Sequence, residues 1–197
     1  MKKVFIFLLL LCNDVSYSQV QDLYREIYKT YPEYKIDEFK TRRFEHPKVK
    51  EQLKEVAKDP AFSLQEVGRS IEGRELYLLS TGTGKTNIFL WSQMHGDEST
   101  ATMALFDIFN FLRSEGFEEE KQELLKNVRL HFLPMVNPDG AERFERRNTL
   151  NIDLNRDALR LQSPESQTLK RVRDSIKPEF GFNLHDQSKY YNVGLTR

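Results

Sequence analysis

Short apolar runs alternate along the chain with amphipathic stretches of helical spacing. The apolar and β-branched runs predict five strands, at Phe62–Val67, Arg74–Leu79, Ile88–Trp91, Val128–Val136 and Phe180–Leu184. Helical spacing follows Ser99 as far as Leu112, and Ser163-Pro164 opens a second helix to about Ser175. Because helices alternate with strands, we expect an α/β sheet covered on both faces.

Two charged stretches of helical spacing, residues 19–34 and 47–59, precede this pattern. Apolar residues of the second stretch, including Val49, Leu53 and Val56, fall on one stripe. We therefore expect a helical N-terminal leader over residues 19–60, followed by one domain over residues 61–197. Asn137-Pro138-Asp139-Gly140 predicts a turn, and the arginine-rich segment after it predicts a polar loop over residues 142–157.

The first 18 residues have the pattern of a secretory signal peptide. Lys2 and Lys3 precede an apolar run from Val4 to Cys12, and small residues around Ser18 predict cleavage before Gln19. Nine apolar residues are too few for a membrane span, which needs about 20. We expect signal cleavage and a secreted or periplasmic protein.

The overall charge gives no support to a polyanionic partner. Thirty acidic and thirty basic residues cancel, so no net field favours nucleic acid or an anionic membrane. The apolar share of 39% is that of a globular domain.

Candidate metal ligands follow two of the predicted strands. His95 and Glu98 lie three positions apart just after Ile88–Trp91, and His185 follows Phe180–Leu184. A catalytic zinc ion takes three protein ligands of these types and keeps a fourth position for water. In open α/β sheets the carboxyl ends of the strands form the ligand crevice, so these side chains could meet there.

Taken together, the motifs resemble those of the zinc carboxypeptidase family, over the region from Phe62 to the end of the chain. They occur in the family's order: His95-x-x-Glu98, Asn137-Pro138-Asp139-Gly140, Arg146, Asp153-x-Asn155-Arg156 and His185. The resemblance implies a mixed, mostly parallel sheet with helices on both faces. It also implies one zinc ion bound by His95, Glu98 and His185.

The resemblance further implies how a substrate is held. Arg146 would polarise the scissile carbonyl, with Arg147 as the alternative, and Arg146 is preferred because it lies two residues before Asn148. Asn155 and Arg156 would bind the terminal carboxylate of a peptide. We expect a monomer that acts on peptides with free carboxyl termini, with cell-wall peptides as one substrate class.

One expected residue is missing from the sequence. The family's general base is a glutamate well beyond the third ligand, and no glutamate follows His185. Asp186 is a poor substitute, because neighbouring residues on a strand point to opposite faces. We therefore expect a partial catalytic domain, truncated on its C-terminal side, with little or no turnover.

Two alternatives remain open at this stage. One is an amidase or deacylase of small acylated amino acids, since such relatives share the His-x-x-Glu motif and the distant histidine. The other is a non-catalytic zinc-binding or carbohydrate-associated module, which the missing glutamate favours.

Overall fold

The computed structural model describes residues 20–186. The chain divides into two compact units, residues 1–35 and Ile36–Arg197. The described part of the first unit is one helix, α1, over residues 20–34. The predicted signal peptide, residues 1–18, lies outside the described residues. Within residues 20–186, we find no helix with the length and apolar content that a bilayer span requires.

The second unit is built on a five-stranded sheet in the order β1-β2-β4-β3-β5. Its strands are β1 Phe62–Arg69, β2 Glu75–Thr81, β3 Thr86–Ser92, β4 Val128–Leu133 and β5 Phe180–Leu184. β2 is antiparallel to β1 and β4, whereas β3 is parallel to β4 and β5. The mixed α/β sheet is thus confirmed. In the described residues parallel pairing is confined to β4, β3 and β5, the half that carries the candidate ligands.

Five α-helices belong to this unit in the described residues. They are α2 His46–Val56, α3 Thr100–Arg113, α4 Glu118–Asn127, α5 Pro138–Arg143 and α6 Pro164–Ile176, and a short 3-10 helix covers Leu154–Arg156. The second helical stretch of the predicted leader is α2. Its apolar stripe is buried, and it lies in the same compact unit as the sheet.

One local expectation was wrong, and one helix was not predicted. The turn predicted at Asn137-Pro138-Asp139-Gly140 is the start of α5, because the Asn137 side chain accepts a hydrogen bond from the Gly140 N–H at 2.9 Å. Asparagine followed by proline suits a helix N-terminus as well as a turn, so the sequence pattern does not separate the two. Helix α4 was not predicted, since its ten residues carry few apolar side chains.

The core lies on both faces of the sheet. Successive residues of β4 show this, because Phe132 packs with Phe109 of α3 on one face while Leu133 packs with Val172 of α6 on the other. The helices on both faces are therefore confirmed. Each buried phenylalanine or leucine contributes about 1.5–3 kcal/mol relative to an exposed one, and this packing fixes the strand ends that carry the site.

Candidate metal centre

The strand register brings the candidate ligands to one edge of the sheet. Ser92, the last residue of β3, pairs with Leu184, the last residue of β5. The chain then runs from β3 into the His95 bend and from β5 directly into His185. Two segments that are distant in sequence therefore have their side chains at the same edge of the sheet, as expected for the carboxyl ends of parallel strands.

Both imidazoles face one carboxylate. His95 Nδ1 lies 2.8 Å from Glu98 Oε1, and His185 Nδ1 lies 2.6 Å from Glu98 Oε2. The ring centroids of the two histidines are 4.8 Å apart. One ligand atom from each of the three residues lies within 4.8 Å of the other two. His95 is buried, Glu98 half-buried and His185 exposed, so the cluster opens to solvent on the His185 side.

The second nitrogen of His95 has its own partner. His95 Nε2 lies 3.1 Å from Asp153 Oδ1. Burial raises the pKa of Asp153, but the hydrogen bond with His95 and the charge of Arg146 outweigh burial and hold this pKa below its usual value. An ionised carboxylate on Nε2 selects the tautomer that leaves Nδ1 free to bind a metal.

Arg146 lies beside the same cluster. Its Nε and Nη2 atoms are 3.2 and 3.1 Å from Asp153 Oδ2, and Nη1 is 3.2 Å from Glu98 Oε1. The rival arginine, Arg147, instead donates from Nη1 to the carbonyl of Asn151. Arg146 is therefore the arginine of this pair that contacts the candidate ligands.

The backbone of Arg146 is tied to the ligand bend. Its carbonyl accepts hydrogen bonds from the Gly96 N–H at 3.4 Å and from Asn137 Nδ2 at 3.3 Å. Asn137 thus joins the start of α5 to the arginine loop, and Gly96 joins that loop to the bend. These contacts give a structural reason for the presence of Asn137 and Gly96 beside the candidate ligands.

The predicted substrate residues lie on the next segment. The Asn155 N–H donates to Asp153 Oδ1 at 3.0 Å, and Asn155 Oδ1 accepts from Asn183 Nδ2 at 3.4 Å. Arg156 is exposed in the 3-10 helix that Asp153 caps. The structure therefore brings His95, Glu98, His185 and Arg146 into direct contact, while Asn155 is linked to them through Asp153.

The donor set fits zinc. Two imidazole nitrogens and a carboxylate are ligands that zinc accepts at catalytic sites, and the open side at His185 leaves room for a water or a substrate atom. The carboxylate on His95 Nε2 adds the outer partner that metal-bound histidines usually have.

Comparison with known proteins decides the family. The model of the family described as "Zinc carboxypeptidase" matches residues 49–191, well over half of the chain. The chain belongs to the zinc carboxypeptidase family. Human carboxypeptidase D is 31% identical over 110 residues, which are 47% of this chain and 8% of that protein. Carboxypeptidase SOL1 of Arabidopsis thaliana is 28% identical over 140 residues, 62% of this chain and 28% of that protein.

The fold agrees with this membership. A metallo-carboxypeptidase from Burkholderia cenocepacia superposes with a TM-score of 0.68 at 26% identity, covering 73% of this chain and 41% of that chain. The matched region thus spans less than two thirds of the length of these carboxypeptidases. The structural match shows a common fold over the part of this zinc carboxypeptidase chain that it covers.

Sequence reasoning missed some of the residues that hold the site. Asp153 was part of a quoted motif but received no role, although an aspartate two residues before Asn-Arg was a signal that could have found it. Arg42 and Asp186 contact each other across the sheet end at 2.5 Å. No spacing in the sequence indicates that contact, because 144 residues separate them.

Proposed function

We propose that this zinc carboxypeptidase homologue serves the removal of C-terminal residues from peptides, and that His95, Glu98 and His185 hold the zinc ion of that reaction. The observation that carries the proposal is the convergence of both Nδ1 atoms on Glu98, next to the Arg146 guanidinium. When bound, zinc supplies a Lewis acid and a water whose pKa is about 7.

Arg146 is proposed to orient the scissile carbonyl. Its guanidinium is held by Asp153 and is partly exposed, so it can donate to a substrate oxygen from a fixed position. Fixed donors that face a developing negative charge stabilise it without reorganisation during the reaction. Asp153 would then hold both His95 and Arg146 in place for the reaction.

Asn155 and Arg156 are proposed to bind the terminal carboxylate. A guanidinium offers two parallel N–H donors that match the two oxygens of a carboxylate. Arg156 is exposed, and Asn155 lies two residues after the aspartate that orients His95. A peptide held at its carboxylate would thus present its last peptide bond to the ligand cluster.

Equilibrium binding of peptides tests whether Asn155 and Arg156 bind the terminal carboxylate. Binding to the zinc-loaded chain is measured for N-blocked tripeptides with a free and with an amidated carboxyl terminus. We expect the free acid to bind about tenfold or more tightly, as befits a charge-assisted pair, and Arg156→Ala to abolish the preference. Arg160→Ala, at an exposed arginine four residues later, is the matched control. Equal binding of acid and amide by the unaltered chain would refute the assignment.

No residue is assigned the role of general base. Binding is therefore measured, because it reports recognition of the carboxylate and does not depend on that base. The same binding titration tests the alternative that the protein acts on small acylated amino acids. An amidase or deacylase of acylated amino acids would bind an N-acetyl amino acid more tightly than the tripeptide, whereas a peptidase would prefer the tripeptide.

Export, cell-wall peptides as substrates and a monomeric state are further parts of the proposal. The signal-like pattern of residues 2–18 supports export, and an exported enzyme would meet cell-wall peptides. Protein recovered from cells that export it should begin at Gln19, and an intact Met1 would contradict export. Light scattering should give the mass of one chain.

A further inference from the structure

Asp186 directly follows the third proposed ligand. Its side chain is only 8% exposed, although it lies at the open edge of the sheet. The carboxylate accepts three hydrogen bonds: from the Thr100 N–H at 3.1 Å, from the Ala101 N–H at 3.3 Å and from Arg42 Nη2 at 2.5 Å. This carboxylate thus joins three separate segments of the chain.

Two of these donors belong to the first turn of α3. The first N–H groups of a helix have no partner within the helix, so another group must accept from them. Ser99 occupies the position where a serine usually does this, but its hydroxyl donates to the Arg42 carbonyl instead. Asp186 therefore caps α3, and α3 begins two residues after Glu98.

Arg42 contributes the third contact from the segment before α2. Besides Asp186, its Nη2 donates to the carbonyl of Asp97 at 3.4 Å. Asp97 precedes the second proposed ligand, and Asp186 follows the third. Arg42 and Asp186 together therefore connect the bend that carries Glu98 with the end of the strand that carries His185.

We propose that Asp186 is a positioning residue for the metal centre. By holding the end of β5 against the start of α3, its carboxylate places His185 Nδ1 2.6 Å from Glu98 Oε2. Without it, His185 would depend on β5 alone, which pairs on one side with β3 in the described residues. The inference rests on the proposed metal site, and it adds a residue that touches neither the metal nor the substrate.

Zinc affinity and a cobalt spectrum test the proposal. Zinc affinity is measured by competition with a chromophoric chelator, and the visible spectrum of the Co²⁺-loaded protein reports ligand geometry. Asp186→Ala should weaken zinc binding at least about tenfold and change the cobalt spectrum, as losses of outer-shell support do. Asp186→Asn should lose less, because an amide oxygen still accepts from the helix N–H groups.

A matched control separates positioning from general stability. Asp107 lies on the same helix, nine residues after Glu98, and accepts from the Ile36 N–H at 2.7 Å. Asp107→Ala should lower the unfolding midpoint of the metal-free protein and leave zinc affinity and the cobalt spectrum unchanged. Should Asp186→Ala fail to fold, Asp186→Asn and Arg42→Ala take its place, each with a weaker effect in the same direction.

The outcomes distinguish this inference from the proposed function. If the unaltered chain binds zinc and the Asp186 variants bind it equally well with the same cobalt spectrum, the positioning role is refuted and the metal site stands. If the unaltered chain binds no zinc, both are refuted.

Discussion

Gly96 and Gly140 meet backbone to backbone. A Cβ atom built on Gly96 would lie 2.1 Å from the carbonyl carbon of Gly140, far inside van der Waals contact. The glycine of the ligand bend is thus needed for a close approach to the first turn of α5. This contact places the His95 bend against the segment that leads to Arg146.

Substitution of this glycine should therefore be costly. Gly96→Ala forces two backbones apart, and we expect a loss of about 1–3 kcal/mol in the free energy of unfolding, the usual range for overpacking. Chemical denaturation of the metal-free protein measures it. The control is Gly181→Ala, where a Cβ would come no closer than 3.3 Å, to an atom of the Trp91 side chain. Equal losses in the two variants would contradict the argument.

Two aspartates four residues apart should have different roles. Asp153 contacts His95, whereas Asp157 accepts hydrogen bonds from the N–H groups of Gln162 and Ser163. Asp153→Asn should weaken zinc binding about 10- to 100-fold. Asp157→Asn should lower stability by about 1–3 kcal/mol and leave zinc affinity unchanged. Competition titrations and denaturation curves on both variants check this. An Asp157 effect on zinc affinity as large as that of Asp153 would remove the distinction.

The ion pairs of Glu72 should make stability depend on acid pH. The Arg143 guanidinium, helped by Arg74 and Thr149, lowers the pKa of Glu72 from 4.5 to about 2. A carboxyl with a lowered folded-state pKa stabilises the fold above its unfolded pKa and loses that contribution as pH falls through the folded value. The unfolding midpoint of the unaltered chain should therefore exceed that of Glu72→Gln above pH 4.5. The difference should shrink toward pH 2.

Thermal unfolding from pH 7 to pH 2 tests this window. Glu123→Gln, at an exposed glutamate of α4, serves as the control and should follow the unaltered chain throughout. A difference for Glu72→Gln that is constant with pH would show that the charge of this side chain is not responsible.

The sequence predicted the strands well because their apolar runs are short and bounded by turn residues. Helix α4 and the start of α5 were not predicted, for physical reasons. Helix α4 has a charged, mostly exposed surface, so periodicity gave no signal there. The start of α5 was mistaken for a turn, because the same asparagine and proline serve both structures.

The sequence predicted the types of residue in the candidate site, but it did not predict the residues that hold the candidate ligands in place. His95 and Glu98 are close in sequence, and His185 directly follows a predicted strand. Asp153 contacts His95 across a separation of 58 residues in the sequence. Arg42 contacts Asp186 across a separation of 144 residues. Such contacts depend on tertiary packing, which a single sequence does not reveal.

Zinc stoichiometry tests the central claim most directly. Native mass spectrometry of the zinc-loaded protein should show one ion per chain, and Glu98→Ala and His185→Ala should each lose it. His131→Ala is the matched control, because His131 contacts Ser80 and Asn87 within the sheet and should keep the ion. A chain that retains zinc after loss of Glu98 or His185, or that releases it after loss of His131, would contradict the proposed metal centre.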